Sequence, residues 1–146
     1  MKSLPTLAAA FILGFAGAAA QAGAASAADL TLAFKGLQKQ TGAILFVLVN
    51  SEAAYDDKAP AVAQDMLAVS GSAVTTRFAD LAPGRYAIKA FHDLDGDGKM
   101  ATNPFGMPTE PFAFSNNAEG MMGPPKWEAA AFEVKAGANV HAIDID

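Results

Sequence analysis

The chain contains no cysteine, one tryptophan and only two histidines among its 146 residues. Without cysteine there are no disulfides and no thiolate ligands, so stability has to come from packing, helped at most by a bound ion. His92 and His141 have no third nitrogen or sulfur ligand at close spacing, so a zinc centre lacks the donors it needs. Positive charge is also scarce, with 10 Lys and Arg against 15 Asp and Glu. Such a surface repels nucleic acid and anionic lipid. Charged residues of both signs make up 17% of the chain and hydrophobic residues 52%. That excess is unevenly distributed, and its position decides its meaning.

Much of it lies in the first 28 residues, where Lys2 is the only charge ahead of an apolar stretch from Leu7 to about Ala20. Small residues Ala25, Ser26 and Ala27 follow. A positive end, a short apolar centre and a small-residue cleavage site are the layout of a secretory signal peptide over residues 1–27. A membrane anchor would want ~20 strongly apolar residues, whereas this run thins into Ala, Gly and Gln. The expectation is an exported protein, periplasmic or secreted, with no membrane span after cleavage. Residues 28–146 then form a single domain of about 120 residues. All 15 acidic residues but only nine of the 10 basic ones fall there, for a net charge of −6.

Along the mature chain, Leu30, Leu32 and Phe34 alternate with Thr31, Ala33 and Lys35, the period of a strand with one face on a core. The run Ala43 to Val49 is short, apolar and rich in β-favouring residues, which predicts a central strand buried on both sides. Residues 50–64 read as a loop with at most one helical turn. Met66 to Val69 and Val74 to Phe78 flank Ser70-Gly71-Ser72 as a hairpin. Arg85 to His92 follows a Pro83-Gly84 turn as a further strand, and Ala129 to Val134 and Asn139 to Ile145 close the chain. About seven strands without a long helix predict an all-β protein, a single β-sandwich with Greek-key connections. Between strands lies an aperiodic stretch at about 93–128. Its Phe, Met and Trp content argues for an ordered loop packed on its own apolar residues rather than disorder.

Within that stretch, Asp93-Leu94-Asp95-Gly96-Asp97-Gly98-Lys99 places three carboxylates at alternate positions before a glycine. Calcium takes several hard oxygen ligands at ~2.3–2.6 Å, and only a curled backbone aims neighbouring carboxylates at one point. The motif matches the first half of an EF-hand loop, with the Lys99 carbonyl at its seventh position. Ala101 and Pro104 stand where its later ligands belong, so the remaining oxygens would come from Asn103, Glu110, Asn116 or Asn117. The competing reading is an Asx-rich turn whose side chains accept nearby backbone N–H groups and bind nothing. Gly96 and Gly98 are not a phosphate loop, since no helix follows and the carboxylates would repel the anion. Ser115 lacks nucleophile-elbow glycines.

His92 shares a strand face with Tyr86, Ile88 and Ala90, which suits a hydrogen-bonded histidine at the core edge. Phe112, Phe114 and Trp127, with Asn116 and Asn117, either line a ligand pocket or form the loop's own small core.

Several of these runs together resemble one family. They are His92 to Met100, Thr102 to Glu110, Phe114 to Ala118, Gly123-Pro124-Pro125, and the flanking Leu81 to Ile88 and Ala130-Ala131-Phe132. In this order they are similar to DUF2141, a family of exported bacterial proteins defined by sequence rather than activity. The resemblance covers about Leu30 to Ile145 and implies a small periplasmic or secreted domain, a sandwich like the transthyretin-like and collagen-adhesin B-type modules. Where that family commonly has Asp, this chain has Ala101, one ligand fewer for a cation.

Three functional readings follow. The leading one is a non-enzymatic module for binding or structure at the cell envelope, with a Ca2+-binding or cation-stabilised Asp-rich loop and an envelope protein or small ligand as partner. The second is a small hydrolase or isomerase using the loop carboxylates and His92. The third is a small-ligand carrier with the aromatic loop as its lid.

Overall fold

A computed structural model describes residues 26–145. The expected signal peptide falls almost entirely outside the described residues. Eight strands form two sheets: β1 (Ala28–Lys35), β2 (Ala43–Val49), β3 (Ala63–Ala68), β4 (Val74–Leu81), β5 (Gly84–Asp93), β6 (Phe112–Phe114), β7 (Phe132–Val134) and β8 (Gly137–Asp144). The smaller sheet has the order β4-β1-β8, with β1 antiparallel to β4 and parallel to β8. The larger has the order β3-β2-β5-β6, with β7 paired to the start of β5. This is the all-β sandwich expected, with one strand more than the pattern suggested.

The core follows from alternation. Leu30, Leu32 and Phe34 of β1 are fully buried, as are Ile44 and Leu48 of β2, Ile88 of β5 and Ile143 of β8. Phe46 joins them with its ring 5.2 Å from Phe34 and 6.0 Å from Phe78. Burying each such side chain stabilises the fold by about 1.5–3 kcal/mol.

The larger sheet is not buried on both sides along its length. On β2 the residues between the core positions, Leu45 and Val47, are half-buried, so the apolar run has one closed and one partly open face. A run with no polar residue carries no mark of which face is covered. The hairpin expected around Ser70-Gly71-Ser72 does not form either. β3 pairs with β2 and β4 with β1, so this turn carries the chain from one sheet to the other. Strand propensity was visible there, but partner choice depends on residues 15 and more positions away.

The stretch 93–128 contains more structure than aperiodicity implied. Phe112–Phe114 adds to the edge of β5, and Ser115–Asn117 makes a single 3-10 turn. Trp127–Ala130 is a helical turn, α2, where a strand was expected from Ala129; β7 begins only at Phe132. Ser115 explains how β6 and β7 share one edge. Its hydroxyl accepts from Ile88 N–H at 2.9 Å and donates to the Ala130 carbonyl at 2.6 Å, filling the rung between the two short strands.

Candidate functional site

The outward face of the larger sheet is read from strand register. Four cross-strand rows succeed one another along β5. At one end Val49 pairs with Ala87, and both are covered. Their cover is a second apolar cluster of Ala54 and Tyr55 from the helical turn α1 (Glu52–Tyr55) and Trp127 and Ala130 from α2. The Tyr55 and Trp127 rings lie 5.9 Å apart, and Tyr55 Oη donates to the Pro125 carbonyl at 2.9 Å. At the other end Ala43 pairs with Asp93, a residue only 2% exposed at the start of the acidic turn.

Between these two covers, two rows remain open. One runs Met66–Leu45–Phe91–Phe112 and the other Gln64–Val47–Lys89–Phe114. With Met100 and Pro124 at its rim they line an open groove of 670 Å³, within the size range of sites that accept organic groups. The one cation in it is already engaged: Lys89 Nζ donates to the Tyr55 carbonyl at 2.8 Å and to Asp57 at 2.7 Å.

The acidic turn closes one end. The Asp93 carboxylate accepts from the N–H groups of Gly96 at 2.8 Å and Gly98 at 2.9 Å, both glycines lying at φ +75°. Asp95 accepts from Asp97 N–H and Asp97 from Lys99 N–H, at 3.1 and 2.8 Å. Glu110, 7% exposed, bridges the base of the turn by accepting from Leu94 N–H at 2.8 Å and Ala101 N–H at 2.9 Å. One oxygen from each of Asp93, Asp95 and Asp97 lies within 4.8 Å of the others. Both features expected of this motif are therefore present, the Asx-type turns and the convergent carboxylates. Burial would push the Asp93 carboxyl up, but the N–H groups of Gly98 and Gly96 outweigh it and hold it below its ordinary value. Asp95 moves the other way. The Asp97 N–H favours its anion, but desolvation and the neighbouring charge of Asp97 outweigh that and raise it.

The other expected ligands do not converge on this point. Asn103 accepts from Phe105 N–H at 2.9 Å and Met107 N–H at 3.0 Å, bracing a separate tight turn. Asn116 donates to the carbonyls of Ala129 and Ala131, and Asn117 exchanges hydrogen bonds with Asp144. These amides tie the 3-10 turn to its neighbours. His92 is 1% exposed, and its Nε2–H donates to the Thr41 carbonyl at 2.6 Å. It is the core-edge histidine that its strand position suggested.

The aromatic residues divide. Trp127 and Phe114 pack toward α1 and the sheet rather than on a core of the loop's own, and Phe112 is 45% exposed in the open row. Phe105, Met107, Met121 and Met122 are 62–102% exposed, against the expectation of a loop packed by its apolar residues. Sequence reading missed Leu45, Val47, Met66 and Phe91 as site residues: alternate exposure is invisible in the unbroken apolar run that holds Leu45 and Val47, and Met66 and Phe91 join them only through cross-strand register. It also missed His141, whose ring stacks on Phe132 with centroids 3.8 Å apart and whose Nε2 accepts from Asn116 N–H at 3.1 Å.

No helix among the described residues is long and apolar enough to cross a membrane. No curated protein and no solved structure matches the chain. Residues 32–142 match a family model described as an uncharacterized protein conserved in bacteria. The run that builds the acidic turn and the strands that build the groove both lie inside this match, and the chain belongs to the DUF2141 family.

Proposed function

We propose that the protein is an exported, non-enzymatic binding module of the cell envelope that engages its partner through the open apolar rows of the larger sheet. The observation that carries this reading is the 670 Å³ groove between the two covers. Half-exposed Leu, Val, Met and Phe side chains on a rigid sheet are what a binding surface needs and what a purely structural face avoids. The hydrolase or isomerase alternative asks for His92 and a carboxylate beside an open pocket. His92 does border a small cavity of 170 Å³ with Gln38, Lys39 and Thr109, but no carboxylate lines it, and the ring is 1% exposed and bonded to Thr41.

N-phenyl-1-naphthylamine, a neutral dye that brightens in apolar surroundings, tests the reading. The wild-type protein is expected to bind it saturably, and Leu45→Gln with Phe112→Gln to weaken binding at least tenfold while keeping the wild-type circular dichroism. No saturable binding by the wild type would reject the groove as a site.

A Ca2+ ion in the acidic turn is a second part of the proposal, supported by the three carboxylate oxygens within 4.8 Å of one another. With Asn103 and Glu110 committed to backbone N–H groups, water would complete such a shell. The melting temperature should then rise with Ca2+ and fall with chelator, and Asp95→Ala with Asp97→Ala should abolish the response. An unchanged wild-type melt in millimolar Ca2+ would exclude the ion.

A further inference from the structure

We infer that the partner lying across the open rows is a basic amphipathic helix of another protein, its apolar stripe on the sheet and its Lys or Arg flank toward the acidic turn. This rests on the groove being the binding surface and adds what occupies it.

Size and position favour a protein segment over a small molecule. Five of the eight large apolar side chains that stand exposed among the described residues belong to residues 105–122. Phe105 and Met107 extend from the tight turn that follows Met100, and Met121 and Met122 precede Pro124; Met100 and Pro124 themselves form the groove rim. A small molecule seated in the groove would leave these side chains in water. A helix about 10 Å across, laid over four strands spaced ~4.8 Å apart, reaches the rim where they begin. Exposed thioethers adapt their shape to an apolar partner, as on other helix-binding surfaces.

Secondary structure is selected by the sheet edge. Among the described residues β3 is the unpaired edge beside the groove, and Asp65 disfavours strand addition there. Asp65, which register places on the core side opposite Phe46, sits exposed at that edge and accepts from Met66 N–H at 2.8 Å. An inward charge and an occupied N–H are how edge strands resist pairing.

Charge selects the sign. At the turn end, residues 93–110 carry Asp93, Asp95, Asp97 and Glu110 against Lys99 alone, a net −3, whereas Glu128 at the other end is paired with Arg85. Among the described residues no ion pair engages Asp95 or Asp97, and Lys89 is matched by Asp57. With the turn free of a cation, the surplus is therefore negative and lies at the turn end of the groove, which draws a basic partner and repels an anionic membrane.

The experiment uses two labelled 18-residue peptides built to one helical Leu pattern, with Lys or Glu at every other position, titrated in chelator so that the turn keeps its charge. The Lys helix is expected to bind at least tenfold more tightly than the Glu helix. Leu45→Gln with Phe112→Gln should weaken it at least tenfold, and Asp95→Asn with Asp97→Asn at least fivefold. The control Asp80→Asn with Glu133→Gln, which makes the same change of net charge elsewhere, should leave it within twofold. Equal affinity for the two helices, an equal loss in the control, or uptake by phosphatidylcholine vesicles without peptide binding would overturn the inference. Dye binding in the groove without binding of either helix would overturn it while the binding-module reading stands; loss of dye binding too would reject both.

Discussion

The two faces of the larger sheet are built from the same kinds of side chain and have opposite fates. Inward, Ile44, Phe46, Leu48 and Ile88 meet the smaller sheet and are closed from water. Outward, Leu45, Val47, Phe91 and Phe112 are only half-covered, because the two loops that close this face stop short of each other. α1 and α2 cover the Val49 and Ala87 end, and the acidic turn covers the Asp93 end. A sheet side is apolar because of its residues but buried only where something of matching shape reaches it.

The contrast can be broken or sharpened by substitution. Phe46→Ala, which removes a ring packed between Phe34 and Phe78, should lower unfolding stability by about 3–5 kcal/mol in chemical denaturation. Ser115→Ala removes the hydroxyl between Ile88 N–H and the Ala130 carbonyl, leaving two buried backbone groups without partners, and should lower it by about 1–3 kcal/mol.

Acid offers a third test, at His141. Burial holds its imidazole below its ordinary value of 6.5. The unfolded chain therefore takes up the proton more readily than the folded one. Stability contributed by the neutral ring should be complete above pH 6.5 and decline as pH falls through that value toward the lower folded one. Protonation would also end the hydrogen bond from Asn116 N–H. Melts at pH 7.5, 6.5 and 5.5 should show the decline, and His141→Gln should flatten it.

The smallest effect belongs to the open face. Leu45→Ala should change stability by less than about 1 kcal/mol, since its side chain is already half in water. A loss comparable to that of Phe46→Ala would mean the outer face is closed in solution and would remove the basis for a binding surface.

Much of this was readable beforehand. The alternation of Leu30, Leu32 and Phe34 marked a one-faced strand, and the apolar block Ala43–Val49 marked β2 to the residue. The spacing of Asp93, Asp95, Asp97 and the glycines marked the acidic turn, because curling a chain around carboxylates needs those residues in that local order. His92 was placed correctly from its strand parity alone. What could not be read was non-local. The 3-10 turn and its Asn ties depend on Ala129 and Ala131 and on β8, some 25 positions away, and the strands either side of Ser70-Gly71-Ser72 find different partners.

The sequence by itself determined the strand periods, the acidic turn and the surplus of negative charge, all properties of neighbouring residues. Only the tertiary structure decided which apolar face is covered. Coverage depends on where distant loops come to rest, as the approach of Gly42 to Asp93 illustrates. A Cβ on Gly42, which lies at φ +75°, would fall 2.1 Å from the Asp93 carbonyl oxygen, so only glycine allows the start of β2 to pass that close to the end of β5. The length of each cover, and hence the width of the gap between them, follows from such contacts and not from any run of residues along the chain.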